Sequence, residues 1–404
     1  MGDERRALLD SSVGRAFAGV AIAITVVTAI GVAVLWPGEA DTQLSEGLTA
    51  STERAEVTSV SYAACPPPQE GTCGTAEIRL ETGPDEGSTS TLTLGGTLLE
   101  PDLEVGDQIR VAPSEPVPGE LPPELRPEAG DASTAYTFSD FERRTPMLWL
   151  AIAFAVLVIV FGRLRGALSL LGLAASLAVV LIFIVPAILD GESPLAVAIF
   201  GSLAVMLLTI ALAHGLGAKS LAAVVGTTAS LLLVALLAEL FTELTHLTGL
   251  ASEEPALLQL GGVEVSFEGL LLAGIVIGAL GVLDDVTVSQ ASTVLALRAA
   301  DPSLGFGELY RRALDVGRDH VSATVNTLVL AYVGAALPVL LIFSSGELGF
   351  VDAVNVELVA QEIVAALVGS IGLIAAVPIT TALAATLSRG LPAERLPASP
   401  GHAH

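Results

Sequence analysis

Charge is scarce in this sequence. Only 15% of its 404 residues are charged, and among them is a single lysine, Lys219. Soluble domains carry about 25% charge, so this scarcity, with 52% hydrophobic residues and a mean hydropathy of +0.72, excludes an ordinary soluble protein. A phosphate loop, an H-E-x-x-H pair and a G-x-S-x-G elbow are all missing. No enzyme activity and no resident cofactor is therefore expected. Cysteine is nearly absent: Cys65 and Cys73 flank a run that includes Pro66, Pro67 and Pro68. Without a nearby histidine they make no zinc site. A short loop closed by a Cys65–Cys73 disulfide suits an oxidising compartment, and two free thiols are the alternative. There is no internal repeat, so twofold symmetry, where the working unit needs it, comes from a second chain, as a homodimer or a complex with a paralogue.

What the chain does contain is long apolar runs. Crossing a bilayer takes about 20 apolar residues, and lipid leaves no partner for backbone groups, so such runs are helices. Candidate spans lie at about 14–36, 146–162, 166–189, 193–213, 218–245, 267–296, 320–344 and 356–388. The expected fold class is an all-α polytopic membrane bundle of about eight transmembrane helices, with the lipid bilayer as its first partner. With the N-terminus inside, the short loops holding Arg163 and Arg165, Lys219, Arg298 to Arg318, and Arg389 with Arg395 are cytoplasmic. The loops at 190–192, 246–266 and 345–355 hold no Lys or Arg. That asymmetry sets a plasma-membrane orientation with both termini cytoplasmic.

Between the first two spans, residues 37–142 hold 21 acids against Arg54, Arg79, Arg110 and Arg126. Such acidity keeps a domain soluble and makes nucleic acid an unsuitable partner. Alternation in 55–63, 76–81, 89–94 and 108–112, with turns at Gly83-Pro84, Gly95-Gly96 and Gly106-Asp107, predicts a small extracytoplasmic β-rich domain, a barrel or a sandwich. A Pro/Glu-rich linker at 113–131 and a last strand at 135–141 follow. The organisation is then 1–36, the N-terminus and first helix; 37–145, the outer domain; 146–390, seven further helices; and 391–404, a cytoplasmic tail.

The residues that could carry chemistry sit inside the bilayer. Asp284 and Asp285 lie about 17 residues into the span 267–296, where ionised carboxylates are costly and normally face a bundle interior or an aqueous cavity. Two adjacent carboxyls in low dielectric do not both ionise cheaply, which makes the pair a proton carrier, while their 100° offset lets them face different partners. Gly274, Gly278 and Gly281 would let a helix pack close, and Thr287, Ser289, Gln290 and Ser292 continue a polar stripe. On the next span, after Arg318-Asp319-His320, Asn326 and Thr327 are candidates to hydrogen-bond the acids, with simple interhelix adhesion as the bland reading. Glu239, Glu243 and His246 have metal-site spacing at i, i+4 and i+7, against which stands a solvated helix end.

The run Gly281-Val282-Leu283-Asp284-Asp285-Val286-Thr287-Val288-Ser289-Gln290, then Arg311-Arg312, Gly317-Arg318-Asp319-His320 and Thr324-Val325-Asn326-Thr327-Leu328, resembles the actinobacterial branch of the YibE/F family of multi-pass membrane proteins. More distantly, Gly281 to Asp285 followed by a charged loop and Thr324-x-Asn326-Thr327 is similar to the proton-relay region of the RND superfamily, which includes the export factor SecDF. That likeness implies that Asp284 and Asp285 carry protons and that Asn326 and Thr327 face them. It departs from the RND pattern in its extra spans and in Lys219, which falls in a loop. The expected function is a transporter or export factor of unidentified substrate, coupled to proton or sodium flow. The alternative is a scaffold or receptor working through the outer domain. An intramembrane aspartyl protease fits poorly, because adjacent acids on one helix do not face each other across a water.

Overall fold

The computed structural model describes residues 8, 10–38, 52–64, 72–94, 102–114, 135–251, 258, 265–345 and 349–390. They fall into two compact units, 1–41 with 158–404, and 42–157.

In the second unit, strands β1 (Glu53–Ala64), β2 (Thr72–Leu80), β3 (Thr89–Leu94), β4 (Gln108–Ser114) and β5 (Ala135–Phe141) form one antiparallel sheet of order β3-β2-β1-β4-β5. Strands β3 and β5, at its two edges, lie against each other. The sheet therefore curls like a small barrel and is not a sandwich of two sheets. Its curvature is helped by register shifts between Val57 and Ser59 on β1 and between Arg110 and Val111 on β4. Alternate residues, Ala55 and Val57, Ala76, Ile78 and Leu80, Leu92 and Leu94, Ile109 and Val111, point inward and are buried. Tyr136 closes one end of this core and donates its hydroxyl to Asp85 Oδ2 at 2.8 Å, with Glu53 Oε2 at 3.3 Å. Cys73 stands on β2 opposite Ala63 of β1, whereas Cys65 lies outside the described residues, and with it the expected bond.

The first unit is helical. Helix α1 (Ser12–Val34) is capped by Ser11, whose Oγ accepts from the Gly14 N–H. Helix α2 (Arg144–Val179) runs through a π-turn at Val180–Ile184 into α3 (Val185–Leu189). Then come α4 (Pro194–His214), α5 (Ala218–Leu244), α6 (Phe267–Ala300), α7 (Phe306–Ala335), α8 (Leu337–Ser345), α9 (Phe350–Asn355) and α10 (Glu357–Arg389). Six helices among the described residues are long and apolar enough to cross a membrane, or seven when α7 and α8 count as one span bent by 60°. Pro338 has no N–H to give and restricts Leu337 before it, which accounts for that bend.

The difference from eight lies in the 46-residue segment Arg144–Leu189, which holds two of the expected spans in one helical element. At about 1.5 Å per residue a straight helix of that length is roughly 70 Å long, twice the hydrocarbon thickness. It is not straight: Arg163 has φ 52° and ψ −132°, and Gly166 comes against the Val158 carbonyl eight residues back. Only a sharp bend brings those two together.

Helices α5, α6 and α10 pack most closely on one another, with α7 against α10 and α4 against α6. Close approach occurs where Gly372 of α10 meets Val234 of α5. The expected contact face on α6 is different: Gly274 and Gly281 have open space beside them, and Gly278 has only the Tyr332 hydroxyl nearby.

Candidate functional site

Helix α6 carries both acids and presents them to different surroundings. The helix starts at a cap formed by Ser266, whose Oγ accepts from Gly269 N–H at 3.0 Å, and it runs unbroken for 34 residues. One face, with Leu283, Val286, Thr287 and Gln290, is buried against its neighbours. The other face, with Gly281, Asp284, Asp285 and Val288, borders a cavity of about 290 Å³. Ser169, Gly172, Leu173 and Ser176 of α2 and Thr209, Ala213 and His214 of α4 line the rest. Three of the four α2 residues on this wall, at i, i+3 and i+7, are small, and only Leu173 brings a large side chain to it.

Asp284 is half-buried and Asp285 exposed. Thr209 Oγ1 lies 3.0 Å from Asp284 Oδ2 and 3.0 Å from the Met206 carbonyl oxygen. A threonine hydroxyl has one proton to give. It serves the carboxylate when Asp284 is ionised; when Asp284 is protonated, the acid donates to Thr209 and Thr209 donates to Met206. The other carboxyl oxygen, Oδ1, is buried without a hydrogen-bond partner among the described residues. Asp285, one residue on, lines the same cavity nearer its open side.

Of the polar stripe, Thr287 is buried and pairs with Thr227 of α5 through their hydroxyls at 2.6 Å, and its Oγ1 reaches the Asp284 carbonyl at 3.1 Å. Ser289 is half-buried, and its carbonyl accepts from the Thr293 hydroxyl. Gln290 ties three helices together, donating to the Ala313 carbonyl of α7 at 2.9 Å and to Thr381 Oγ1 of α10 at 2.7 Å.

Asn326 and Thr327 are not brought to the acids. Both are exposed, and the Thr327 hydroxyl donates to the Ala323 carbonyl of its own helix. The face of α7 turned to α6 and α10 carries Leu314, Val321 and Val325. One and two residues beyond Val325, at 100° steps, the side chains point elsewhere. The helix that offers the acids a hydroxyl is α4, through Thr209, and not α7. Lys219 also departs from expectation: it sits in the first turn of α5, not in a loop, and its Nζ is 3.1 Å from His214 Nδ1.

The triplet Glu239, Glu243 and His246 does not assemble. Helix α5 ends at Leu244, His246 has a positive φ of 55°, and all three side chains are exposed. Glu239 borders one cavity and His246 another. Among the described residues no group of three His, Cys, Asp or Glu could hold a metal ion.

The site residues that sequence reasoning missed are Ser169, Ser176, Thr209 and His214. Their signal was the small and polar face Ser169-x-x-Gly172-x-x-x-Ser176, and a lone threonine in the apolar run 203–213. A model of the YibE/F-like protein family matches residues 150–390, a stretch that contains every residue of this cavity. No curated protein and no solved structure matches the chain.

Proposed function

The chain belongs to the YibE/F-like family, and we propose that it is a plasma-membrane transporter or export factor driven by proton flow through Asp284 and Asp285, with sodium as the other candidate ion. The observation that carries this reading is the Thr209 hydroxyl, placed at 3.0 Å from both Asp284 Oδ2 and the Met206 carbonyl. A site with a donor arrangement for each protonation state of a carboxyl can load and unload a proton without rebuilding its walls. The neighbouring cavity gives that proton somewhere to go, and acids deep in a membrane helix mark ion paths more often than they pack. The positive-inside pattern supports cytoplasmic termini and an outer β-domain.

A second copy of the chain, or a paralogue, supports the working unit. Asn326 is exposed on α7 among Leu330 and Val333, which are exposed as well. An amide in lipid needs a partner, and an amide is complementary to its own copy across a twofold axis. Cysteine at 326 should cross-link between chains, and a failure to do so in native membranes removes the dimer.

The decisive experiment is proton flux into liposomes with the wild type and with Asp284→Asn/Asp285→Asn. The double variant should lose flux while keeping its helical content and monodispersity. Full flux in that variant would end the reading, and a wild type that moves sodium but no protons would reassign the ion.

A further inference from the structure

Where the cavity reaches the α4–α5 junction sits a contact that the mechanism above does not use. His214 is the last residue of α4, exposed at the cavity's mouth while lining the space shared by Asp284 and Asp285. Its Nδ1 lies 3.1 Å from Lys219 Nζ in the first turn of α5. The junction between the two helices is fixed by Gly215, whose φ of 69° suits glycine, and by the Ser220 hydroxyl, which donates to the Gly215 carbonyl at 2.5 Å. The charged groups acting on His214 come from every side: Asp285 on α6, Lys219 on α5 and Arg165 on α2.

The contact dictates a tautomer. An ammonium donates three hydrogens and accepts none, so Nδ1 must offer its lone pair and the ring proton must be on Nε2. We propose that His214 passes protons between Asp285 and the medium at the α4–α5 junction, with Lys219 setting its tautomer and supplying the proton that replaces the one it gives. This rests on the proton-transport reading. In the inward step the Nε2–H gives its proton to the Asp285 carboxylate across the cavity, while the Lys219 ammonium gives one to Nδ1. Ammonium, neutral imidazole and carboxylate become amine, neutral imidazole of the opposite tautomer, and carboxylic acid. The amine then takes a proton from the medium, so one proton has moved inward and no charge is left over. Return of the ring to the Nε2–H form completes the cycle. An imidazolium has no lone pair for the lysine, so the transfers at the two ring nitrogens go together.

The test has a transport arm and an arm that needs no transport. In liposomes His214→Gln should lower proton flux at least tenfold with both aspartates present. Lys219→Met should do the same, and Lys219→Arg should not restore it, because a guanidinium does not release its proton. In nanodiscs, ¹⁵N-histidine NMR, with His214 assigned among the five histidines by His214→Gln, should show the Nε2–H tautomer in the wild type and in Lys219→Arg. In Lys219→Met, where no ammonium holds Nδ1 as an acceptor, the Nδ1–H share should rise above its wild-type level. Flux lost in Asp284→Asn/Asp285→Asn but unchanged in His214→Gln overturns the inference and leaves the proton reading standing. A wild type that moves no protons overturns the transport reading and the relay with it, and the NMR arm then decides the Lys219–His214 pairing alone. An Nδ1–H tautomer in the wild type overturns that pairing.

Discussion

Gln290 and Gly317 meet where α6 crosses α7, and their substitution tests how the bundle is held. Gln290 is 4% exposed, and its amide donates twice, to Ala313 O and to Thr381 Oγ1. Interhelix hydrogen bonds in membranes contribute about 0.6 kcal/mol each, with about 1.7 as the upper end. Gln290→Leu keeps the volume and removes both bonds. It orphans no donor, since the Thr381 hydroxyl also donates to Val377 O at 2.6 Å. The expected loss is therefore about 1.2 kcal/mol, and about 3 at most. Gly317→Ala acts differently. A Cβ there would stand 2.5 Å from Val377 Cγ1 and 2.8 Å from Gln290 Oε1, so α7 must move away, at a cost of about 1–3 kcal/mol. Because one obstruction is Gln290 itself, Gln290→Ala combined with Gly317→Ala should cost less than the sum of the two by about 0.5 kcal/mol or more. Equilibrium unfolding in bicelles, followed by steric trapping, measures all four corners of this cycle. Strict additivity would mean that the two residues do not share the crossing described here. A Gln290→Leu variant as stable as the wild type would mean that its amide holds nothing.

The β-domain gives three further tests. Burial first, then the hydrogen bond to Asp85, push the Tyr136 phenol above its usual range, so the fold favours the neutral form. Stability from this group is present below the unfolded phenol's value of about 10 and is lost as pH rises beyond it. Protection factors of the β4 and β5 amides in the full chain, hydrogen-exchange rates corrected for their intrinsic pH dependence, should therefore fall at high pH in the wild type and much less in Tyr136→Phe. The backbone N–H of Arg144, followed by the Arg110 and Arg144 guanidiniums, holds Glu142 below the usual carboxylate range despite burial. Its contribution is present above the unfolded value of about 4.3 and is lost as pH falls through the lower folded one. Glu142→Gln should flatten the acid limb of the same exchange measurement, and an unchanged limb would remove Glu142 from the balance. A Cys65–Cys73 bond should leave both residues unalkylated until reductant is added, whereas two thiols labelled without reductant would exclude it.

Element types were readable because lipid and sheet impose strong periods. The strands at 89–94 and 135–141 lie where the alternation placed them, and the apolar runs are helices. The breaks were harder to see. Arg163 looked like a loop residue between two spans, yet the chain keeps helical geometry on both sides and turns at that one residue. The acids were legible as a pair, but not their partners. Asn326 drew attention as an amide in an apolar helix, and a hydropathy pattern carries no azimuth relative to a neighbour, so it could not show that Val325 takes the inner face. Thr209 gives no signal of its own in the sequence, because a threonine in a membrane helix usually satisfies itself on its own backbone, and Thr209 does reach Met206 O as well as Asp284.

The placement of the acids follows from the two faces of α6. Residues 283, 286, 287 and 290 repeat at helical spacing and lock α6 into the close-packed group with α5 and α10. Residues 281, 284, 285 and 288 repeat at the same spacing on the other side and border a space walled mainly by small and polar residues of α2 and α4, with Leu173 the one large apolar side chain they contribute. One helix thus holds its carboxyls on a fixed scaffold and aims them at an unfilled space between α2 and α4. A group that exchanges protons needs both conditions, a backbone that does not move when the charge changes and a neighbour with room for water. Ser176→Leu, which extends a four-carbon side chain into the wall of that space, separates them: the scaffold contacts of α6 are untouched, so thermal stability should hold within about 1 kcal/mol, while proton flux should fall steeply. Flux retained with the cavity filled would show that protons reach Asp284 by another route.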